Sequence, residues 1–136
     1  MTSSQPVATP NALNFTPDNK RCYAYSGDVA VSASNTTMLE FSTNSEYIVA
    51  TFEYHGTIAQ IASNQLAIEL TLNGVSIIHT YYDATVDHTL WDYPPKIIIP
   101  PFTDFKITLA QASGSDRTMQ VTLTGEVFGM TEVGYQ

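Results

Sequence analysis

The stretch that decides the fold is residues 65–83, which read QLAIELTLNGVSIIHTYYD. Its first half alternates leucine or isoleucine with other side chains at a period of two, the pattern of a β-strand with one buried face. Asn73-Gly74 comes next and favours the two positive φ angles of a type I′ turn. The stretch therefore predicts a β-hairpin at the centre of an antiparallel sheet.

The turn also predicts the register of this hairpin. Counting outward from it, the buried face pairs Leu72 with Val75, Leu70 with Ile77, and Ile68 with His79, while Glu69 meets Ile78 on the other face. A shift of one residue would turn every leucine to water, so the register is strongly specified. His79 is accordingly expected to be a hydrogen-bonded histidine near the core.

Short alternating runs fill most of the remaining chain. They are separated by Gly, Pro, Asn and Ser about every 8–12 residues, which is typical of a sandwich or barrel. The further predicted strands are Arg21–Ser26, Asp28–Ala33, Thr36–Ser42, Glu46–His55, Lys96–Ile99, Phe102–Ala112 and Arg117–Phe128. We predict an all-β fold, a single antiparallel β-sandwich. The strand count and the long loop at 83–95 favour a jelly roll, and an immunoglobulin-like sandwich is the alternative.

Residues 1–20 differ from this pattern. They contain three prolines and many Ser, Thr and Asn residues, and they show no strand or helix period. We predict an extended N-terminal arm over residues 1–20 and a β-sandwich domain over 21–136. The arm is either a loose tail or a segment that orders against a partner through its scattered apolar side chains, Val7, Leu13 and Phe15.

Charge and composition exclude several partners. The chain has 13 acidic and 5 basic side chains, a formal charge of −8. A nucleic-acid binder needs clustered positive charge, so we predict no nucleic acid and no anionic membrane surface as partner. The single cysteine, Cys22, allows no internal disulfide and is expected to be a small buried side chain. No signal peptide is recognisable at Met1, so synthesis and folding in a reducing cytoplasm are expected.

Catalytic and metal-binding motifs are not recognisable. Asp83, Asp87 and Asp92 lie close together with His88 and are the candidate ligands for Ca²⁺, but their spacing matches no known calcium loop. The histidines form no His-x-His pair, and the chain has no Gly-x-Ser-x-Gly elbow, phosphate loop or Cys-x-x-Cys. We therefore predict no enzyme activity, no cofactor and no assigned metal site.

Aromatic side chains concentrate around the loop that contains those aspartates. Tyr82, Trp91 and Tyr93 are the candidate partner-binding residues there. They either plug one end of the sandwich, stack on sugar rings, or lie in a protein interface, where Tyr and Trp are enriched. A carbohydrate-binding module of a phage fibre or an adhesion protein, with a glycan as ligand, is thus the alternative function.

Residues 97–128 read IIIPPFTDFKITLAQASGSDRTMQVTLTGEVF and resemble small β-sandwich virion proteins of tailed bacteriophages, the head decoration or cement proteins. The resemblance lies in a Pro-Pro-aromatic step into a strand, a short polar turn, and a final strand ending in Thr-Gly-x-Val. It covers about a quarter of the chain. It implies a jelly roll that forms homotrimers on the capsid exterior and clamps neighbouring major capsid subunits. The family offers no fixed binding residues to carry over.

Overall fold

The computed structural model describes residues 11–56, 65–81 and 96–129, and within them every regular element is a β-strand. The strands are β1 (Asn14–Phe15), β2 (Arg21–Tyr25), β3 (Val29–Val31), β4 (Thr36–Ser42), β5 (Glu46–Gly56), β6 (Leu66–Leu72), β7 (Val75–Tyr81), β8 (Lys96–Ile99), β9 (Asp104–Gln111) and β10 (Arg117–Gly129). Apart from β1, which lies within the predicted arm, these bounds lie within a few residues of the strands predicted from the period-two runs.

The strands form two antiparallel sheets. The first sheet has the order β1-β2-β10-β5-β8, and β3 pairs with β10 further along the edge that β2 occupies. The second sheet has the order β4-β9-β6-β7. The prediction of an all-β chain built as an antiparallel β-sandwich is therefore confirmed.

The core lies between the two sheets and is built from alternate residues of each strand. In β5 the buried residues are Ile48, Ala50, Phe52 and Tyr54, and in β9 they are Phe105, Ile107 and Leu109. Both sets follow the period-two alternation from which these strands were predicted. The Phe105 ring stacks on Phe41 of the neighbouring strand, with 4.6 Å between ring centroids. Burial of these apolar side chains supplies the main driving force for folding.

The central hairpin has the predicted turn, but part of its register differs. Asn73 and Gly74 have φ angles of 52° and 80°, as a type I′ turn requires. A β-bulge then shifts the register between Leu70 and Thr71, so that Leu70 pairs with Ile78. The predicted pairs Leu70–Ile77, Ile68–His79 and Glu69–Ile78 are wrong.

The bulge also changes which side chains of β7 face the core. Ile78 packs against the core, whereas Ile77 is 46% exposed. His79 pairs with Glu69 and is exposed, so the prediction of a histidine near the core is wrong as well. An extra residue of this kind increases the local twist of an edge strand and moves the following side chains to the other face.

Residues 11–15 close one side of the sandwich, between the edge of β2 and the edge of β4. The Asn11 amide donates to the Tyr25 carbonyl at 2.9 Å, and the Asn11 carbonyl accepts from the Glu40 amide at 3.2 Å. Leu13 packs against the core. The described half of the predicted arm thus lies along the sandwich. Val7 lies outside the described residues.

Candidate functional site

Three phenylalanines are exposed at one end of the sandwich, the end formed by the β4–β5 and β8–β9 turns and the last residues of β10. Phe102 is 75% exposed, Phe128 40% and Phe15 38%. We call this surface the aromatic end and define it by these three residues. Large apolar side chains that share one exposed region mark an interaction surface more often than scattered ones do.

Phe102 occupies an unusual backbone conformation. It has a φ of 53°, which is uncommon for any residue with a Cβ and a true outlier for a bulky one. It lies in the turn Pro100–Thr103, where Pro101 comes immediately before it. Proline favours the second position of a type II turn, and the position after it needs a positive φ. The turn therefore displays Phe102 away from the core.

Hydrogen bonds to the β4–β5 turn fix this displayed residue. The Phe102 amide donates to the Asn44 carbonyl at 2.8 Å, and the Thr103 amide donates to Thr43 Oγ1 at 2.9 Å. Thr43 Oγ1 donates in turn to the Pro100 carbonyl at 2.7 Å. Thr43 and Thr103 are buried at 6% and 3% exposure, so water competes little for these bonds. The two turns act as one rigid support for Phe102.

A small apolar cleft opens beside the aromatic end, between the edges of the two sheets. It has a volume of about 170 Å³. Its apolar lining comes from both sheets and from the segment before β2: Leu13, Phe15, Phe41, Ile48 and Val127. Ser42, Thr43, Asn44 and Glu46 complete the lining. The cleft and the support of Phe102 therefore share the β4–β5 turn.

Acidic side chains surround the aromatic end. Glu46 lines the cleft, and Asp104 follows the Phe102 turn and accepts a hydrogen bond from the Ser42 hydroxyl. Asp18 lies in the turn between β1 and β2. Hydrogen bonds from the Thr16 hydroxyl and the Lys20 amide hold the pKa of Asp18 below its usual value, so it stays ionised at neutral pH. Lys20 and Arg21 follow Asp18 closely, and the Lys20 carbonyl accepts a hydrogen bond from the Val127 amide, so the surface presents aromatic rings beside charged groups of both signs.

A second depression lies on the outer face of the first sheet. Its volume is about 240 Å³, and it is flanked by Arg21 and Lys96. Thr51 and Thr124 face each other there, with 3.4 Å between their hydroxyl oxygens. Glu126 also borders the depression. Hydroxyls between two cations offer donors to a polar or anionic ligand, although Glu126 offsets part of the positive charge.

Cys22 is not placed for nucleophilic chemistry. It is 3% exposed, and burial raises the pKa of its thiol from 9.0 to about 11. The thiolate is the nucleophilic form, so the protonated side chain behaves as a small apolar residue. In the part of the chain that the structure describes, no three His, Cys, Asp or Glu side chains are grouped to hold a metal ion. Those same segments contain no helix long and apolar enough to cross a membrane.

The structure brings two of the predicted partner-binding residues together, because Leu13 and Phe15 both line the cleft. Leu13 contacts the core of its own chain and Phe15 is partly exposed. The other sequence candidates lie outside the described residues: Val7, Tyr82, Asp83, Asp87, Trp91, Asp92 and Tyr93.

Sequence reasoning missed Phe102 and Phe128, both of which were assigned to strands. The available signal for Phe102 was Pro100-Pro101, because a proline pair ends a strand and favours a turn in which the next side chain points outward. For Phe128 the signal was its alternation with Val127, which places it on the outer face of β10.

The comparisons with known proteins identify no relative: no protein-family model matches this chain, and neither does any curated protein or solved structure.

Proposed function

We propose that this protein is a non-enzymatic capsid decoration protein, which binds the outer surface of a tailed-phage head and stabilises the shell by clamping neighbouring major capsid subunits. The observation that carries the proposal is the aromatic end, where three phenylalanines are exposed and the most exposed of them, Phe102, lies on a hydrogen-bonded turn. Aromatic side chains are enriched in the cores of protein interfaces. A rigid aromatic surface suits attachment to another protein, since little order has to be gained on binding.

The strand pairing supports a jelly roll as the finer description of the sandwich. Taken together, β2 and β3 form one interrupted strand along β10, which leaves eight strands after β1 among the described residues. Counted in chain order, the first of these eight strands pairs with the last (β2 with β10), and the second pairs with the seventh (β4 with β9). The third pairs with the sixth (β5 with β8), and the fourth pairs with the fifth (β6 with β7). A long hairpin that is rolled up as one ribbon produces this order. An immunoglobulin-like sandwich has a different strand order.

The resemblance of residues 97–128 to phage decoration proteins supports the partner and the place. The Pro-Pro-aromatic step that carries the resemblance is Pro100-Pro101-Phe102, the same turn that displays the most exposed phenylalanine. We therefore extend the proposal to a homotrimer on the capsid exterior, with the chain made in the host cytoplasm before it joins the virion.

Co-sedimentation with phage heads stripped of their decoration protein tests this function. The purified chain should pellet with the heads, reach a fixed number of copies per head, and raise the temperature at which the heads rupture. Empty heads whose decoration sites are already occupied serve as the control and should bind little. Failure to bind stripped heads at micromolar concentration would rule out the decoration role.

One observation favours a second candidate, a carbohydrate-binding module. The depression between Arg21 and Lys96 has two threonine hydroxyls at its centre, and Tyr23 lies beside Thr124 on the same outer face. Hydroxyls, cations and an aromatic ring are groups that bind sugars. Binding of a glycan that is lost in the Thr124→Val variant, without binding to heads, would favour this alternative.

A further inference from the structure

We propose that Phe102 is the anchor of the attachment surface and enters an apolar pocket with a basic rim on the partner protein. The inference rests on the proposed attachment function and adds the residue and the chemistry of the partner's site. Phe102 is highly exposed, and its backbone conformation is unfavourable for a bulky side chain.

The fold of this chain gives no reason for a phenylalanine at this position. A φ of 53° suits glycine or asparagine, and a bulky side chain there is strained. With 75% of the residue exposed, packing inside the chain offsets little of that strain. Strained residues that the surrounding structure holds in place concentrate at binding sites. The ring is therefore placed to contact something outside the chain.

The turn is also ordered before any partner arrives. The amides of Phe102 and Thr103 and the carbonyl of Pro100 all have hydrogen-bond partners in the β4–β5 turn. The Thr103 hydroxyl donates to the Pro101 carbonyl at 3.1 Å. A side chain presented on a fixed backbone loses little entropy on binding. Preorganised aromatic residues of this kind are typical binding hot spots.

Charge decides between kinds of partner. Asp18, Glu46 and Asp104 lie around the aromatic end, with Lys20 and Arg21 beside Asp18, and the whole chain carries a formal charge of −8. Pairing this end with the same end of a second copy would bring like charges together, which is unfavourable. A partner pocket that is apolar at its centre and lined by Lys or Arg at its rim satisfies both the ring and the acidic groups.

The Phe102→Asn variant separates binding from folding. Asparagine tolerates a positive φ, so the melting temperature should stay the same or rise, while affinity for stripped heads should fall at least tenfold. If Phe102 were only a structural residue, the melting temperature would fall instead. Tyr25→Ala is the matched control, because Tyr25 is 44% exposed on the outer face of the first sheet, away from the Phe102 turn. It should bind as the unmodified chain does.

Salt and charge reversal test the basic rim. Binding of the unmodified chain should weaken as salt increases, and the Asp104→Lys variant should bind more slowly and with less salt dependence. If the unmodified chain binds heads and Phe102→Asn binds equally well, the anchor is wrong while the decoration function stands. If the unmodified chain does not bind heads at all, the proposed function itself fails. If Phe102→Asn loses binding but the binding of the unmodified chain does not depend on salt, the proposal of a basic rim on the partner is wrong.

Discussion

The Thr43→Val substitution tests the support of the aromatic end. Valine keeps the shape of threonine but removes the hydroxyl that accepts from the Thr103 amide at 2.9 Å and donates to the Pro100 carbonyl at 2.7 Å. The substitution leaves two backbone groups without this partner, and Thr103 is only 3% exposed. Each unsatisfied buried group costs roughly 1–3 kcal/mol.

Pro100 is exposed, so water can replace the lost partner of its carbonyl, and the expected loss in the free energy of unfolding is that of the one buried group, the Thr103 amide, about 1–3 kcal/mol. For a domain of this length that loss corresponds to a fall in melting temperature of roughly 3–10 °C. Urea denaturation followed by far-UV circular dichroism measures it, with the slope of the transition checked for change. The same variant should bind partners less tightly, because the turn that carries Phe102 is released from the β4–β5 turn.

Thr122→Val is the matched control for this experiment. Thr122 is half-buried on the outer face of β10, between the buried Val121 and Leu123, so the same chemical change there should alter stability by less than about 0.5 kcal/mol. Equal denaturation midpoints for the Thr43 and Thr122 variants would refute the reasoning, since they would show that the hydroxyl of Thr43 does not hold the two turns together.

Three further outcomes follow from the structure. Gly74→Val should lower the free energy of unfolding by about 1 kcal/mol or more, because Gly74 has a φ of 80° and a Cβ added there would have no atom within 4 Å to contact. An unchanged midpoint in thermal unfolding would contradict this prediction. At pH 8 the Cys22 thiol should react with a disulfide reagent only as the protein unfolds, because its raised pKa of about 11 keeps it protonated in the folded chain. Fast reaction of the folded protein would contradict this prediction. Deleting residues 2–17 should destabilise the sandwich, because it removes the hydrogen bonds of Asn11 and the contact of Leu13 with the core. A melting temperature equal to that of the full chain would mean that residues 11–15 do not close the sandwich.

The strands and their buried faces were predictable from the sequence, because a strand with one buried face shows its environment directly as a period of two. Apolar residues occupy alternate positions through Ile48–Tyr54 of β5 and Phe105–Leu109 of β9, and those residues form part of the core. The turn at Asn73-Gly74 was predictable for a similar local reason, since few dipeptides adopt two positive φ angles at low cost.

The bulge in the hairpin was not predictable in this way. Alternation continues through Leu70 and Ile77 in the sequence, yet the pairing shifts there by one residue. A bulge depends on how an edge strand must twist to keep covering the core, and that depends on the neighbouring sheet. The exposure of Ile77 and His79 follows from this shift.

The site was decided by tertiary structure to a still greater degree. The sequence of residues 11–15 shows no strand period. Their position is set by hydrogen bonds of Asn11 with Tyr25 of β2 and with Glu40 of β4. Phe102 was assigned to a strand from the sequence, and it is the hydrogen bonds of its turn to Thr43 and Asn44 of the β4–β5 turn that fix the backbone from which its ring points outward. Local sequence determined which residues are apolar and where the chain turns. Contacts between residues about 60 positions apart in the chain decided which of those apolar residues remain outside the core.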